Sequence, residues 1–370
     1  MRRNATRVLL TLVVIAGCIG VASAQENAAR VQATMSSVIG AAATGMGGAF
    51  VAVADDGTAL YWNPAALADN SGFRIYGAVG GASQNIDTIQ DLLDVADILG
   101  DEDELSEEDF DLIREVAERN SGIPVEGGIG AIGTLEFSQF ALGYWAMAAG
   151  NGVLNYTQNI GAEVVDWTAD AAGQAGAGLG YGRNVSGPWN VGITARAAVL
   201  SLANAEGTAA RPVVPNPVVT SDNVTDSDAD TSYTVDLGVL YSPDARNRFG
   251  LVGRNLTSPS FDLELDDALG NPQQISAEID PSVDLGFAHT ASDGSIIAVD
   301  AHNIFEANDV GCEIAVGISK PLCDVVTLRL GYGNDAPTFG LGFDLGGFQL
   351  DLASTFDWED RVAIGASGTF

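Results

Sequence analysis

Residues Thr231–Tyr241 read T-S-Y-T-V-D-L-G-V-L-Y, and the alternation in this stretch decides the class of fold. Large apolar side chains occupy every second position from Tyr233 to Tyr241, with polar or small residues between them. Successive side chains of a β-strand point to opposite faces of the sheet, so the pattern indicates a strand with one apolar face. A soluble β-sandwich and a membrane-spanning β-barrel both contain such strands.

The same alternation recurs along the chain and predicts fourteen strands. Short turns such as Phe137-Ser138 and Gly346-Gly347 alternate with long connections. Short turns on one rim and long loops on the other are typical of bacterial outer-membrane barrels. The sequence therefore predicts an all-β fold, a 14-stranded antiparallel transmembrane β-barrel over residues 73–370. The long connections are predicted at 82–124, 150–173, 205–230 and 257–280. The strands are predicted to begin near Phe73, Val125, Gln139, Gln174, Trp189, Thr231, Arg246, Pro281, Ser295, Gly311, Asp324, Ala336, Phe348 and Arg361.

Two further features favour the outer membrane over a sandwich. The chain ends on an alternating strand with a terminal Phe370, which resembles the signal read by the barrel assembly machinery. Aromatic residues such as Trp189 and Tyr241 lie near the predicted short-turn rim, and aromatic rings favour the membrane–water interface. The alternative is that these rings fill the end of a sandwich core. The expected surroundings of the barrel are outer-membrane lipid.

The first 24 residues predict export. A basic start, Arg2 to Arg7, precedes an apolar stretch and the small residues Ala22-Ser23-Ala24, which is the pattern of a secretory signal peptide cleaved after Ala24. The alternative is a lipoprotein signal with lipidation of Cys18. Either signal takes the protein out of the cytoplasm, and the predicted barrel then indicates the bacterial outer membrane.

The charge of the chain excludes one class of partner and identifies an unusual insert. The net charge is −33, and nucleic-acid binding requires basic patches, so nucleic acid is excluded. Fourteen acidic residues lie in 82–124, where only Arg114 and Arg119 oppose them. The apolar residues of this insert recur at helical spacing, and Ser106 with Asp109 matches a capping box. We predict two short amphipathic helices in an extracellular insert.

The apolar stripes of these two helices must be covered. One hypothesis is a groove that captures a hydrophobic ligand, and the alternative is a hairpin that packs on itself at the barrel rim. A charge of this size repels anionic lipid headgroups, so the stripes are not expected to lie on the membrane surface. The candidate ligand-binding residues are Leu92, Leu93, Phe110 and Ile113.

Residues 40–67 contain three motifs in a row. They are Gly-Met-Gly-Gly-Ala at 45–49, Ala-Asp-Asp at 54–56 and Asn-Pro-Ala-Ala-Leu at 63–67. This segment resembles the opening of the FadL-like outer-membrane family, which includes PorV/PorQ-like and TraF-like branches. Residues 250–261 and the helical insert resemble the TraF-like branch most. One departure is Ala66, where the family commonly has glycine.

The resemblance implies a luminal plug formed by residues 25–72. Glycines in the segment and on the strands allow close packing inside the barrel, and Asp55 and Asp56 are expected to pair with inward-facing arginines. Asn63-Pro64 favours a turn into the first strand. The residues expected in the plug and lumen are Gly45, Gly47, Gly48, Asp55, Asp56, Asn63, Pro64, Arg196, Arg254, Asp300, His302 and Arg329.

Few residues indicate catalysis or metal binding. His302 shares a face with Asp300, a spacing that can orient a general base, but a polar residue in a lumen charge network is the preferred interpretation. Residues 226–230 resemble half of a calcium loop without its glycine and closing glutamate, and a solvated loop is the alternative. Cys312 and Cys323 lie at opposite ends of one predicted strand and are expected to be free thiols. We therefore expect no cofactor, no metal and no enzymatic activity.

Two functions follow from the predicted fold and the resemblance. The first is an outer-membrane barrel that binds or passes hydrophobic small molecules. The alternative is a non-transporting outer-membrane component of a conjugation or secretion apparatus, with proteins of that apparatus as partners. A weaker third possibility is an outer-membrane lipid hydrolase. A continuous apolar interior would favour transport, whereas a polar and filled lumen would favour the apparatus component, because function depends on the site and not on the barrel.

Overall fold

The computed structural model describes residues 39–83, 95, 98, 106–123, 125–158, 162–212, 220–266, 272–356 and 360–369. The predicted signal peptide, Leu92, Leu93 and Phe370 lie outside these residues. Within the described residues, no helix is both long enough and apolar enough to cross a membrane.

Fourteen antiparallel strands form a closed barrel, as predicted. Consecutive wall strands pair with each other, and β1 pairs with β16 to close the barrel, so Arg74 lies opposite Thr369. A separate hairpin of β8 and β9 lies outside the wall order. The strands are β1 Phe73–Ser83, β2 Val125–Phe137, β3 Phe140–Gln158, β4 Ala162–Ser186, β5 Trp189–Pro212, β6 Thr220–Tyr241, β7 Asn247–Arg254, β8 Ser260–Asp266, β9 Pro272–Glu278, β10 Ser282–Thr290, β11 Ile296–His302, β12 Glu313–Pro321, β13 Val326–Gly333, β14 Ala336–Asp344, β15 Phe348–Thr355 and β16 Asp360–Thr369.

Two of the four predicted long loops are largely strand in the structure, so these two predictions are wrong. Most of 150–173 and 205–230 continues the strands: β4 begins at Ala162 and not near Gln174, and β6 begins at Thr220 and not near Thr231. The pairing of β4 with β5 runs without interruption from Ala162–Pro212 to Asn184–Asn190. Sequence alternation weakens here because both faces of these extensions carry polar and small residues. The calcium-loop resemblance at 226–230 also falls within β6.

The predicted long loop 257–280 contains the β8–β9 hairpin, which folds over the mouth of the barrel. Even-numbered residues of β6 face inward, because a side chain on Gly238 would meet the Asn63 side chain of the N-terminal segment. Asp230 and Asp228 are on this inward face, and they accept hydrogen bonds of 2.8 Å from the backbone N–H groups of Asp262 and Glu264 on β8. The hairpin therefore lies on the inner side of the β6 extension.

The connection between β1 and β2 contains helix α3, Glu107–Asn120. The expected capping box is present, with Ser106 accepting from the backbone of Asp109 and Asp109 accepting from the backbone of Ser106. Most of the other expected helix lies outside the described residues, although Val95 and Ile98 are helical. The apolar face of α3 packs against the outward extensions of β3, β4 and β5.

Residues 39–69 precede β1 and contain three short helical turns, named here the N-terminal segment. These are α1 Ala41–Gly45, α2 Ala59–Trp62 and a 3₁₀ helix Pro64–Asp69. Contacts with this segment come from strands all around the barrel, from β1 through β16, so it lies in the lumen.

The outer surface of the barrel carries exposed apolar side chains at alternate positions. Aromatic rings near the short-turn rim form a series of neighbours, such as Phe140 with Tyr181 at 4.7 Å and Trp189 with Tyr241 at 4.4 Å between ring centroids. Their location agrees with the expected interface belt. Cys312 and Cys323 are both exposed free thiols, as predicted.

Candidate functional site

Glycines on the inner wall bring the N-terminal segment into backbone contact with the strands. A side chain on Gly192 would overlap Pro64, and one on Gly331 would overlap the backbone of Gly47. Gly47 has a φ of 67°, a left-handed conformation that favours glycine, and an added Cβ there would lie 2.6 Å from the amide nitrogen of Tyr332. Gly45 packs in the same way against Gly340. The lumen glycines predicted from the sequence therefore have a packing reason.

A cluster of charged side chains from β7, β10 and β11 holds the backbone of the segment. Arg254 forms a 2.6 Å ion pair with Asp284 and donates to the carbonyl oxygens of Tyr61 and Trp62, which end α2. Asp300 accepts a 2.6 Å hydrogen bond from the N–H of Val51. These hydrogen bonds satisfy backbone N–H and C=O groups of the segment that cannot bond to water inside the barrel.

His302 belongs to the same cluster. Its Nε2 lies 3.2 Å from the carbonyl oxygen of Gly48, and its Nδ1 lies 3.7 Å from Asp284. The ring also lies beside Trp62, with 6.0 Å between centroids. One ring nitrogen of His302 therefore contacts the N-terminal segment, and the other faces Asp284, which is paired with Arg254. This arrangement is the polar lumen network, one of the two interpretations of His302 from the sequence.

The arginines expected to pair with Asp55 and Asp56 pair with wall carboxylates instead. Arg196 pairs with Asp236 at 2.8 Å, and Arg329 pairs with Asp351 at 2.6 Å. Asp55 is exposed. Arg196 and Asp236 lie on the adjacent strands β5 and β6. Arg329 on β13 reaches Asp351 on β15 across Gly342 of β14, where an added side chain would overlap both groups.

Asp56 is buried in the N-terminal segment. One carboxylate oxygen accepts from the backbone N–H of Thr58 at 2.8 Å and from the Thr58 hydroxyl. The other oxygen has no hydrogen-bond partner among the described residues. Burial, with a smaller contribution from the negative charge of Asp55, raises the pKa of Asp56 to about 6.

Asn63 and Pro64 turn the segment toward β1. The Asn63 side chain accepts from the N–H of Ala65 at 3.1 Å and donates to the carbonyl oxygens of Val51 and Val239. One amide therefore joins two parts of the segment to the wall. Pro64 begins the 3₁₀ helix, where its missing N–H costs nothing.

Above the N-terminal segment, the inner wall carries a cluster of apolar side chains beside polar ones, since Trp145 donates to Gln174 and lies 6.0 Å from the guanidinium of Arg196. Trp145 and Met147 on β3 and Leu200 and Leu202 on β5 are buried and belong to one apolar cluster with Leu60 and Tyr61 of the segment. The rings of Tyr61 and Trp145 meet edge to face at 5.9 Å. A water-filled porin channel has a polar interior, so the apolar cluster at this height distinguishes this barrel from a porin.

The β8–β9 hairpin completes this cluster from the mouth of the barrel. Phe261 and Leu263 are 1% and 2% exposed and point into the same cluster, whereas Asp262 and Glu264 alternate with them on the other face. We name the cluster between the N-terminal segment and the hairpin the apolar interior. Its wall residues are Trp145, Met147, Leu200 and Leu202, its floor residues are Leu60 and Tyr61, and its roof residues are Phe261 and Leu263.

The candidate groove residues of the acidic insert are in a different place. Phe110 and Ile113 are fully buried against Leu154, Val165 and Ala209 of the strand extensions. The guanidinium of Arg211 lies 4.8 Å above the Phe110 ring and pairs with Glu163 at 2.6 Å. Leu92 and Leu93 lie outside the described residues, so a role for these four side chains in ligand capture stays a prediction.

The sequence did not identify the apolar interior. Trp145, Met147 and Leu202 lie on strands whose opposite faces are also apolar, so alternation did not distinguish them from lipid-facing residues. The signal that was available is the phase with inward glycines, since Trp145 is two residues after Gly143, whose added side chain would overlap Leu60. The roof residues Phe261 and Leu263 lie within 257–280, which was predicted as a loop.

Comparison with known proteins identifies relatives of this architecture. The family described as "F plasmid transfer operon, TraF, protein" matches residues 60–301. Among solved structures, the Pseudomonas putida toluene transporter TodX is 13% identical with a TM-score of 0.55, and the Ralstonia pickettii toluene transporter TbuX is 11% identical with a TM-score of 0.55. A Pseudomonas aeruginosa FadL homologue is 12% identical with a TM-score of 0.53. Each alignment covers 90% of this chain and 98% of the other. No curated protein sequence matches. The FadL-like fold predicted from the sequence is confirmed.

Proposed function

The chain belongs to the family of the F plasmid transfer operon protein TraF, and we propose that it is an outer-membrane barrel that binds hydrophobic small molecules in its apolar interior and passes them across the membrane. The likeness to the toluene transporters supports the fold of this proposal. The choice of cargo depends on the interior of this chain.

The observation that carries the proposal is the continuity of the apolar interior. One buried cluster extends from Leu60 in the N-terminal segment through Leu202 on the wall to Phe261 in the roof. Burying apolar surface favours binding by about 25 cal/mol per Å², which favours a hydrophobic cargo over a polar solute. Aromatic and sulfur-containing side chains, here Trp145 and Met147, adapt to ligands of several shapes.

The N-terminal segment acts in this proposal as a plug. Its backbone packs against the wall at Gly192 on β5 and at Gly331 on β13, which supports a barrier to polar solutes. Cargo that reaches the apolar interior then meets Leu60 and Tyr61 as its floor. Release toward the periplasm requires these two side chains, or the segment that carries them, to move.

The experiment measures uptake of a fluorescent hydrophobic amine, N-phenyl-1-naphthylamine, by bacterial cells that make the barrel and whose lipopolysaccharide outer leaflet excludes the probe. Leu202→Asn places an amide in the apolar interior and is expected to reduce uptake several-fold. The matched control is Ser227→Asn. Ser227 is exposed on β6 and pairs with Ala203, the residue after Leu202, so it lies at nearly the same height in the wall as Leu202. Both variants must retain heat-modifiable migration on gels, which reports a closed barrel.

Equal uptake by the two variants and the wild type would overturn the proposal. It would favour the second candidate, a non-transporting outer-membrane component of a transfer or secretion apparatus. The observation that supports this candidate is the combination of the family membership with a lumen filled by the N-terminal segment. A cross-linking experiment in cells that make the apparatus tests it, with the extended strands β3–β6 as the expected contact.

A further inference from the structure

The barrel wall differs in height around its circumference. Strands β1 and β2 have 11 and 13 residues, whereas β7 and β11 have 8 and 7. With a rise of about 3.3 Å per residue and a tilt of about 40°, 11 residues climb about 28 Å and 7 residues about 18 Å along the barrel axis. The apolar band of an outer-membrane barrel is about 25 Å tall, so the wall around β11 is too short to supply it alone.

The outward-facing side chains show the same difference. On β5 the exposed apolar residues extend from Trp189 to Val199, while on β11 they are Ile297 and Val299. A lipid bilayer that matches the tall wall therefore meets additional surface beyond the outer ends of the short strands.

Two outer connections supply apolar surface at this place. The first is 255–259, after β7, and the second is 303–310, after β11. Leu256 is 40% exposed, Phe305 72% and Val310 44%. Leu256 lies on the outer face of the barrel, because its side chain would be 3.1 Å from a Cβ on Gly253, which shares the outward phase of Phe249 and Leu251.

Several backbone groups of these connections have partners within the protein. The N–H groups of Leu256 and Ile304 donate to the carbonyl oxygens of Val235 and Val283 at 3.0 Å, which continues the wall pairing past the ends of β7 and β11. The Asn303 side chain donates to Ala307 and Val310 carbonyls at 2.9 and 2.7 Å and accepts from the Ala307 N–H. Lipid-exposed irregular backbone is excluded from the hydrocarbon core, so connections of this kind belong at the boundary between the acyl chains and the headgroups.

We propose that the connections 255–259 and 303–310 lie at the headgroup–acyl boundary of the outer leaflet, where Leu256, Phe305 and Val310 contact lipid acyl chains and complete the lipid-facing belt above the short wall, while the exposed Glu306 and Asp309 remain at the level of the headgroups. The occupant follows from continuity, since Leu256 extends the outward row of β7, which is itself part of the belt. This inference rests on the proposed outer-membrane placement and is independent of the cargo.

The test places a nitroxide spin label at Phe305→Cys in a background with Cys18, Cys312 and Cys323 replaced by Ser. The barrel is reconstituted in phosphatidylcholine vesicles, and collision rates with oxygen and with a water-soluble nickel chelate are measured. Val316→Cys on the lipid-facing side of β12 is the membrane control, and Glu278→Cys on β9 is the water control; both are exposed positions. Val310→Cys repeats the measurement if the first variant does not form a heat-modifiable barrel.

The expected result is a label at residue 305 or 310 that matches the Val316 label, with high oxygen collision and a several-fold lower nickel collision rate than the Glu278 label. A nickel collision rate equal to that of the Glu278 label would show that the connections lie in water and would overturn the inference. Dipolar broadening between labels that grows with protein-to-lipid ratio would show a second copy at this surface, which also overturns it. Neither outcome depends on probe uptake.

Discussion

At the scale of single residues, the close packing in the lumen depends on glycines, which have no side chain. Gly331 faces Gly47 and Met46 so closely that a methyl group would overlap their backbone. Because backbone cannot move aside as a flexible side chain can, the strain falls on the N-terminal segment.

We predict that Gly331→Ala loosens the segment and costs about 2 kcal/mol of stability, a typical value for overpacking. The measurement is hydrogen exchange by mass spectrometry over residues 39–69 in the detergent-solubilised barrel. Gly311→Ala is the control, because an added Cβ there has open space around it. Faster exchange in both variants, or in neither, would contradict the packing argument.

A second residue-scale prediction concerns Asp56. The pKa of its carboxyl is about 6 when the segment is folded in the lumen and 3.8 when it is free, so between these values the folded segment binds the additional proton. Docking stability is therefore full below about pH 4, falls as pH rises to about 6, and is constant above that, with a total change of about 3 kcal/mol.

The measurement is exchange of residues 39–69 at matched intrinsic rates between pH 4 and 8. The wild-type segment is expected to exchange more at pH 7 than at pH 4. Asp56→Asn, which has a similar shape and no titration, should abolish most of this dependence. A pH dependence that persists unchanged in Asp56→Asn would assign it to another group.

For single residues, the sequence predicts positions better than it predicts interaction partners. The lumen position of Gly45, Gly47 and Asn63 follows from a recognisable motif, because those residues meet backbone. The partners of Arg196 and Arg329 did not follow, since a salt bridge depends on strand register, and register cannot be read from alternation to within one residue.

At the scale of elements, the β8–β9 hairpin is attached to the wall in an unusual way. Two carboxylates of β6 accept from two backbone N–H groups of β8, while the apolar face of the hairpin covers the interior. The strands are thus joined through side chains and not through a backbone ladder.

We predict that Asp228→Ala with Asp230→Ala frees the hairpin, because each substitution removes the acceptor of a β8 amide. Exchange of the amides of 262 and 264 should accelerate, and binding of a hydrophobic probe to the apolar interior should become faster. Glu278→Ala removes one charge from the same hairpin and serves as the control. Unchanged exchange in the double variant would mean that the apolar contacts alone hold the roof in place.

The elements that sequence analysis placed correctly are those with one apolar and one polar or glycine-rich face, such as β14 and β15. The outward extensions of β4 and β6 were predicted as loops because they lie beyond the apolar belt and carry polar and small residues on both faces. Helix α3 was located by its capping box, a local signal that does not depend on the rest of the fold.

At the scale of the whole molecule, the barrel has three layers: a lower lumen filled by the N-terminal segment, the apolar interior and the roof. The strand number and closure came from counting alternating segments, whereas the layers came from contacts between distant parts of the chain, which no single segment encodes. The central claim is that the middle layer is a binding site for hydrophobic molecules.

The most direct measurement is a crystal structure of the barrel soaked with a brominated aromatic hydrocarbon, with anomalous scattering to locate bromine. We expect a bromine peak among Trp145, Met147, Leu202 and Phe261, and its loss in Leu202→Asn crystals treated in the same way. Bromine found only against the outer surface, with the apolar interior unchanged and empty of signal, would contradict the claim.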